Sequence, residues 1–201
     1  MQLILDIAPM AEPDFDNYVA GPNAEALASL RSFAAGESGD AVMYLWGEPG
    51  SGRTHLLKSA GKVTPGLVIA DDVETLDEPA QQRLFAAINA AREGEPPVLA
   101  AGCRPPAQLA LREDLRTRLA WGLVYQLKPL SDAEKAVHLR AEAARRGLRL
   151  SEDVVRYLLT RLPRDLPSLN SVLDALDRYS LAAKRPVTLP LVRDALERKL
   201  R

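Results

Sequence analysis

A chain of 201 residues has room for one domain and a smaller appendage, with a real apolar core. An apolar fraction of 47% and a charged fraction of 26% suit an ordinary globular protein; the longest apolar runs are strand-sized, so no signal peptide or membrane span is expected. A net charge of −1 excludes a broad attraction to nucleic acid, and the single Cys103 excludes an intramolecular disulfide framework, as suits the cytoplasm.

Met1 to Pro13 reads as an arm, because Pro9 and Pro13 interrupt regular structure after the run Gln2-Leu3-Ile4-Leu5-Asp6-Ile7. Two readings stand: an edge strand or frayed terminus, or a short linear motif. In the second, Gln2 offers an amide to a polar pocket while Leu3, Leu5 and Ile7 fill an apolar groove. Phe15-Asp16-Asn17-Tyr18-Val19 then leads to Asn23, the expected cap of a helix over Ala24–Ala35 that Gly36 and Gly39 end.

Ala41-Val42-Met43-Tyr44-Leu45-Trp46 has strand character, Gly47 to Thr54 reads G-E-P-G-S-G-R-T, and a helix follows to about Ala60. Strand, glycine-rich turn and helix in that order predict a phosphate-binding loop. In it, the backbone N–H groups of Gly47, Pro49–Gly52 (Pro49 itself excepted) and their successors curl round phosphate oxygens at a helix N-terminus. Thr54 stands where a hydroxyl would hold Mg²⁺, and Arg53 replaces the usual lysine. Leu67-Val68-Ile69-Ala70-Asp71-Asp72 predicts a strand close beside the first, with Asp71 in the Mg²⁺ shell and Asp72 orienting water. Only Gly61–Gly66 separates this strand from the preceding helix, so a strand–helix unit usual in such proteins is missing. The shortcut is feasible. Crossing one intervening strand needs ~10 Å, and six extended residues reach ~20 Å.

Pro79–Arg92 is predicted to be an amphipathic helix with Leu84, Phe85 and Ile88 on one face, then Val98–Gly102 a strand, Glu113–Leu119 a short helix and Leu123–Leu127 a strand. From Ser131 the pattern is all helical. Ser131 with Glu134 forms a capping box, Gly147 stops that helix, Ser151 caps one to about Leu162, a third spans Asp165–Ala183, and Thr188 caps Leu189–Leu200. Residues from Pro129 onward carry 15 basic and 10 acidic side chains, against 11 and 17 before it. That asymmetry suits two domains or a partner, and equally suits solvated helix faces.

Four parallel strands with a phosphate loop after the first, then a small helical lid, resemble AAA+ ATPases. Phe15–Asn23, Arg104-Pro105-Pro106, Arg116-Thr117-Arg118-Leu119-Ala120-Trp121-Gly122 and Ser131-Asp132 resemble the DnaA family of replication initiators; Arg53, the amino-terminal Gln2–Ile7 motif and the end of the chain after the lid resemble its Hda branch of regulators. The resemblance implies a clamp-binding arm (1–12), an α/β AAA+ base lacking one edge unit (13–128) and an all-α lid (129–201). It implies that Gln2, Leu3, Leu5 and Ile7 dock on the DNA polymerase III sliding clamp (its beta subunit), that Arg118 is an arginine finger in trans, that Arg164 is a sensor near the protein's own phosphates, and that Asn17 and Val19 lie near adenine. The nucleotide set is completed by Gly47, Pro49, Gly50, Ser51, Gly52, Arg53, Thr54, His55, Asp71 and Asp72, for ADP or ATP with Mg²⁺.

The bland readings remain beside these: Arg118 pairing with Glu113 or Asp114 on its own helix, Arg164 as a solvated lid residue, Cys103 as core filler. Ala70 and Gly102-Cys103 replace polar residues of the family pattern, and Arg53 offers a wide planar fork in place of a compact charge. These departures imply a site that retains diphosphate better than it hydrolyses triphosphate. The expected function is therefore a regulator that activates hydrolysis on DnaA and has little turnover of its own, with homo-oligomerisation open. An autonomous ATPase using Thr54, Asp71 and Asp72, and a nucleotide-independent adaptor, are the alternatives. Direct DNA binding is not expected, because no helix-turn-helix pattern follows the lid and no basic stripe stands out.

Overall fold

The computed structural model describes residues 12–162, 166–183 and 187–197. Residues 13–129 form one compact unit and the described residues from 130 onward fall in another. In chain order the first unit holds α1 (Ala24–Ala34), β1 (Val42–Gly47), α2 (Arg53–Val63), β2 (Val68–Ala70), α3 (Glu78–Arg92), β3 (Val98–Gly102), α4 (Glu113–Leu119) and β4 (Leu123–Leu127).

The four strands form one parallel sheet in the order β2-β3-β1-β4. Side chains of a strand alternate between faces, and β1 shows the consequence. Met43 and Leu45 pack with Leu30 and Phe33 of α1 and Leu56 and Leu57 of α2. Val42 and Tyr44 pack on the other face with Leu84 and Ile88 of α3 and Leu115 and Leu119 of α4. The result is a three-layer α/β unit whose central strand carries the glycine-rich turn at its carboxyl end.

The acidic strand does not lie directly beside β1; β3 intervenes, as the crossing distance allowed. Helix α2 runs to Val63, so the link to β2 is only residues 64–67. β2 is consequently the sheet edge, and the missing unit leaves no gap between strands. It does leave apolar surface uncovered: Ile69 of β2 and Val63 at the end of α2 are both exposed.

Asn23 does not cap α1. Its side chain makes no capping bond and is instead buried, with Oδ1 accepting from Lys128 N (2.8 Å) and Nδ2 donating to Lys128 O (2.8 Å) and Tyr18 Oη (3.0 Å). A buried amide needs all its partners, and here they tie the start of α1 to the residue after β4.

The second unit contains α5 (Asp132–Arg145), α6 (Glu152–Arg161), α7 (Leu166–Ala183) and α8 (Leu189–Glu197). The Ser131–Glu134 capping box is present, and Gly147, with φ +75°, ends the turn after α5. Ser151 occupies the position before α6 without a side-chain capping bond. Leu169 and Leu173 of α7 pack with Leu139 of α5 and Val155 of α6. Val172 and Leu176 pack with Val154 and Leu158 of α6 and Val192 of α8. The lid helices thus serve packing, as their periodicity predicted.

Candidate nucleotide-binding site

The turn from β1 into α2 is shaped by glycine where side chains are excluded. Gly50 and Gly52 have φ of +83° and +92°, and a Cβ on Gly52 would lie 2.5 Å from Tyr18 Cε2. Gly52 is also the residue before α2, so the free N–H groups of the first helical turn open onto this loop. Ser51 Oγ is buried without a hydrogen-bond partner. An orphaned hydroxyl beside a helix N-terminus fits a loop built to receive phosphate oxygens.

Tyr18, which sequence reasoning passed over, braces the loop. Its Oη donates to Ser51 O (3.1 Å) while accepting from Asn23. Burial pushes its phenol above the usual value, opposed by the Asn23 bond, so it stays a donor. Its ring also packs against His55, with centroids 5.6 Å apart. His55 Nε2 donates to Asp14 O (2.9 Å). Residues 14–19 thereby form a strap held to the loop and to the start of α2. Asn17 accepts from Asp14 N (3.0 Å) within that strap, and Val19 is half-buried.

Thr54 and Asp71 meet: Thr54 Oγ1 donates to Asp71 Oδ2 at 2.6 Å. This is the pair a phosphate-bound Mg²⁺ would use, as ligand and outer-shell acceptor. Among the described residues no group of three or more His, Cys, Asp or Glu is arranged to hold a metal alone, so an ion here would depend on phosphate oxygens. The residues therefore fit a nucleotide phosphate with its ion.

Arg53 departs from the simple picture of a phosphate-binding cation. Its side chain is only 11% exposed, and Nη2 lies 3.2 Å from Asp72 Oδ1. Nη1 is 3.9 Å from Glu74 Oε1, a charge contact too long for a hydrogen bond, and is buried without a hydrogen-bond partner. Asp72 reaches this pairing from a left-handed backbone, φ +44°, unusual for a non-glycine residue. Glu74 was not singled out by the sequence. It lies in the turn after β2, accepts from Cys103 N (3.1 Å), and holds the Cys103 thiol above its ordinary pKa, first by hydrogen bonding and then with help from burial. Tyr44 Oη donates to Arg104 O (2.8 Å) on the same side, and burial pushes its pKa up strongly. Cys103 is thus a partner in a polar cluster, not a core filler.

Arg118 belongs to a separate group. It does not pair with Asp114, which Arg112 holds at 2.7 Å. Its guanidinium carbon lies 3.5 Å from the Trp121 ring centroid and 5.3 Å from that of Phe85, and Nε is buried with no hydrogen-bond partner. Gln2, Leu3, Leu5, Ile7 and Arg164 lie outside the described residues.

The family model described as "Hda, lid domain" matches residues 132–196. Domain III of the replication initiation protein DnaA from Thermotoga maritima superposes with a TM-score of 0.73 at 20% identity, over 94% of this chain and 98% of that one. The carboxyl-terminal unit thus matches the Hda lid family, and the chain shares the fold of DnaA domain III. The AMPPCP-bound DnaA of Aquifex aeolicus gives 0.68 at 18% identity, covering 82% of this chain and 65% of that one. The RuvB Holliday junction branch migration motor of Thermotoga maritima gives 0.63 at 16%, covering 95% and 72%. The glycine-rich loop, Thr54–Asp71 pair and Arg53–Asp72–Glu74 cluster all lie on the α/β unit.

Proposed function

We propose that this protein is an Hda-like negative regulator of replication initiation: residues 1–12 dock on the DNA polymerase sliding clamp through Gln2, Leu3, Leu5 and Ile7, the base at 13–128 holds ADP, the segment at 129–201 is its lid domain, and Arg118 acts on ATP bound to DnaA. The observation that carries this reading is a contrast between two arginines. Arg53, in the protein's own site, is engaged by Asp72 and Glu74. Arg118 forms no ion pair among the described residues and rests on an aromatic ring. An arginine uncommitted to a carboxylate keeps its charge for an incoming phosphate, and fingers supplied in trans raise hydrolysis by about 10³–10⁵-fold. A DnaA left with ADP would then be inactive for a second round of initiation.

Within the protein's own site, Thr54 and Asp71 would hold the ion that accompanies the phosphates, Ser51 and the loop N–H groups would bind phosphate oxygens, Asn17 and Val19 of the strap would lie near the adenine, and His55 would support the strap from α2. Arg164 is proposed, from the family resemblance alone, as the sensor for the same nucleotide. The test is Arg118→Ala, which should abolish stimulated hydrolysis on DnaA and spare clamp binding. Gln2→Ala should do the reverse at the clamp; unchanged clamp binding would remove the arm from the account.

A second reading, an autonomous ATPase, draws support from the Thr54–Asp71 contact at 2.6 Å. Robust turnover by the pure protein without DnaA or clamp would favour it over the regulator.

A further inference from the structure

Helix α3 ends at Arg92, and the short α4 ends just before Trp121, within the same compact unit. Both ends bring an arginine to one indole: the Arg92 guanidinium carbon lies 4.3 Å from the Trp121 ring centroid and that of Arg118 lies 3.5 Å from it. The two cationic carbons are therefore within about 8 Å of each other, whatever their directions from the ring. Neither arginine forms an ion pair among the described residues, and Arg118 Nε is buried and unpartnered. On α4, Asp114 is committed to Arg112 through two hydrogen bonds. Trp121 itself remains 41% exposed, so the group borders solvent.

The ring's negative face and the carbonyl end of α3 each favour a cation, which accounts for one arginine at this place. Two like charges sharing one ring repel, and neither has a carboxylate counter-ion among the described residues. An anion with several oxygens satisfies the arrangement, because two guanidinium forks can divide its oxygens between them.

We propose that Arg92, Trp121 and Arg118 form a two-arginine site for the polyphosphate of a nucleotide held by a partner protein, with Arg92 as a second phosphate-contacting cation and Trp121 as the platform that orients both. This deepens the reading of Arg118 given above and rests on it for the identity of the partner. The stacking fixes the guanidinium plane without neutralising it, which a carboxylate partner would not do.

The experiment has two arms. In the first, the full chain is saturated with ADP and titrated with inorganic tripolyphosphate while tryptophan emission is followed. Trp46→Phe leaves Trp121 as the reporter, and the unaltered chain is run in parallel in case that variant folds poorly. A saturable change is expected, with apparent affinity at least 10-fold weaker in Arg92→Ala and in Arg118→Ala, at unchanged melting temperature. In the second arm, hydrolysis of DnaA-bound ATP is measured with Arg92→Ala, Trp121→Leu and Trp121→Phe. Arg92→Ala is expected to lower the stimulated rate about 10-fold, Trp121→Leu to lower it further, and Trp121→Phe to restore part of the loss because a flat ring remains. No saturable emission change, or one indifferent to Arg92→Ala, overturns the two-arginine site whatever happens on DnaA. If tripolyphosphate binds as described but even the unaltered chain fails to stimulate DnaA, the anion site stands and the DnaA reading falls.

Discussion

Arg53 shows how one side chain can redirect a site. A lysine at this position would present a compact charge to the phosphates; the longer arginine reaches Asp72 at 3.2 Å and approaches Glu74. On the proposed reading Asp72 would orient water, and its engagement by Arg53 would then work against hydrolysis in the protein's own site. Arg53→Lys is expected to release Asp72 and raise intrinsic ATP turnover several-fold in a steady-state assay; an unchanged rate would mean that this pairing does not limit turnover. Glu74 also sets the chemistry of Cys103. Hydrogen bonding to Glu74 and then burial raise the thiol pKa, so less thiolate is present at pH 8 than in an ordinary cysteine. Alkylation by iodoacetamide should therefore be slow at pH 8 and accelerate as pH rises, with Glu74→Gln shifting the profile to lower pH. An unshifted profile would contradict the Glu74 contact. The approach of Thr54 and Asp71 was legible because an apolar strand ending in acids follows the glycine-rich loop and its helix. Glu74 was not, since its role depends on a turn with Asp72 in a left-handed conformation that no local pattern announces.

At the level of elements, the phosphate loop is held from outside by the strap at residues 14–19 and by Asn23. Asn23→Ala would strand the Lys128 N–H and C=O groups and remove a donor from Tyr18, costing about 2–3 kcal/mol. Chemical denaturation of the two proteins measures it; a loss below about 0.5 kcal/mol, typical of an exposed site, would contradict the bridging role. Gly52→Ala would combine a strained φ with a collision against the Tyr18 ring. ADP binding by calorimetry should be lost while the circular dichroism of the sheet and helices is retained, and retained affinity would show that the loop does not need this backbone. Helices and strands of the base were readable from periodicity because each buries one face. Asn23 looked like a helix cap for the same local reason. Its true partner is 105 residues away in sequence, and that contact outcompetes capping because a buried amide there satisfies a strand end.

Across the whole molecule, the α/β base with its phosphate loop after β1 and the all-helical segment from Ser131 were both legible, since the alternation of apolar strands and amphipathic helices changes character at Pro129. The strand order was only half legible: local patterns give β2 its identity, while the insertion of β3 between β2 and β1 is set by crossover packing. The shortened link at residues 64–67 places β2 at the sheet edge and leaves Val63 and Ile69 exposed. The division of labour proposed for Arg53 and Arg118 emerges only at this scale. One arginine contacts Asp72 beside the glycine-rich loop, and the other stacks on Trp121 with no ion pair among the described residues. The most direct test is hydrolysis of DnaA-bound ATP in the presence of DNA-loaded clamp, with the unaltered protein and with Arg118→Ala. The account predicts stimulation of about 10³-fold or more by the unaltered protein and none by Arg118→Ala. Equal stimulation by both, or none by either, would contradict it.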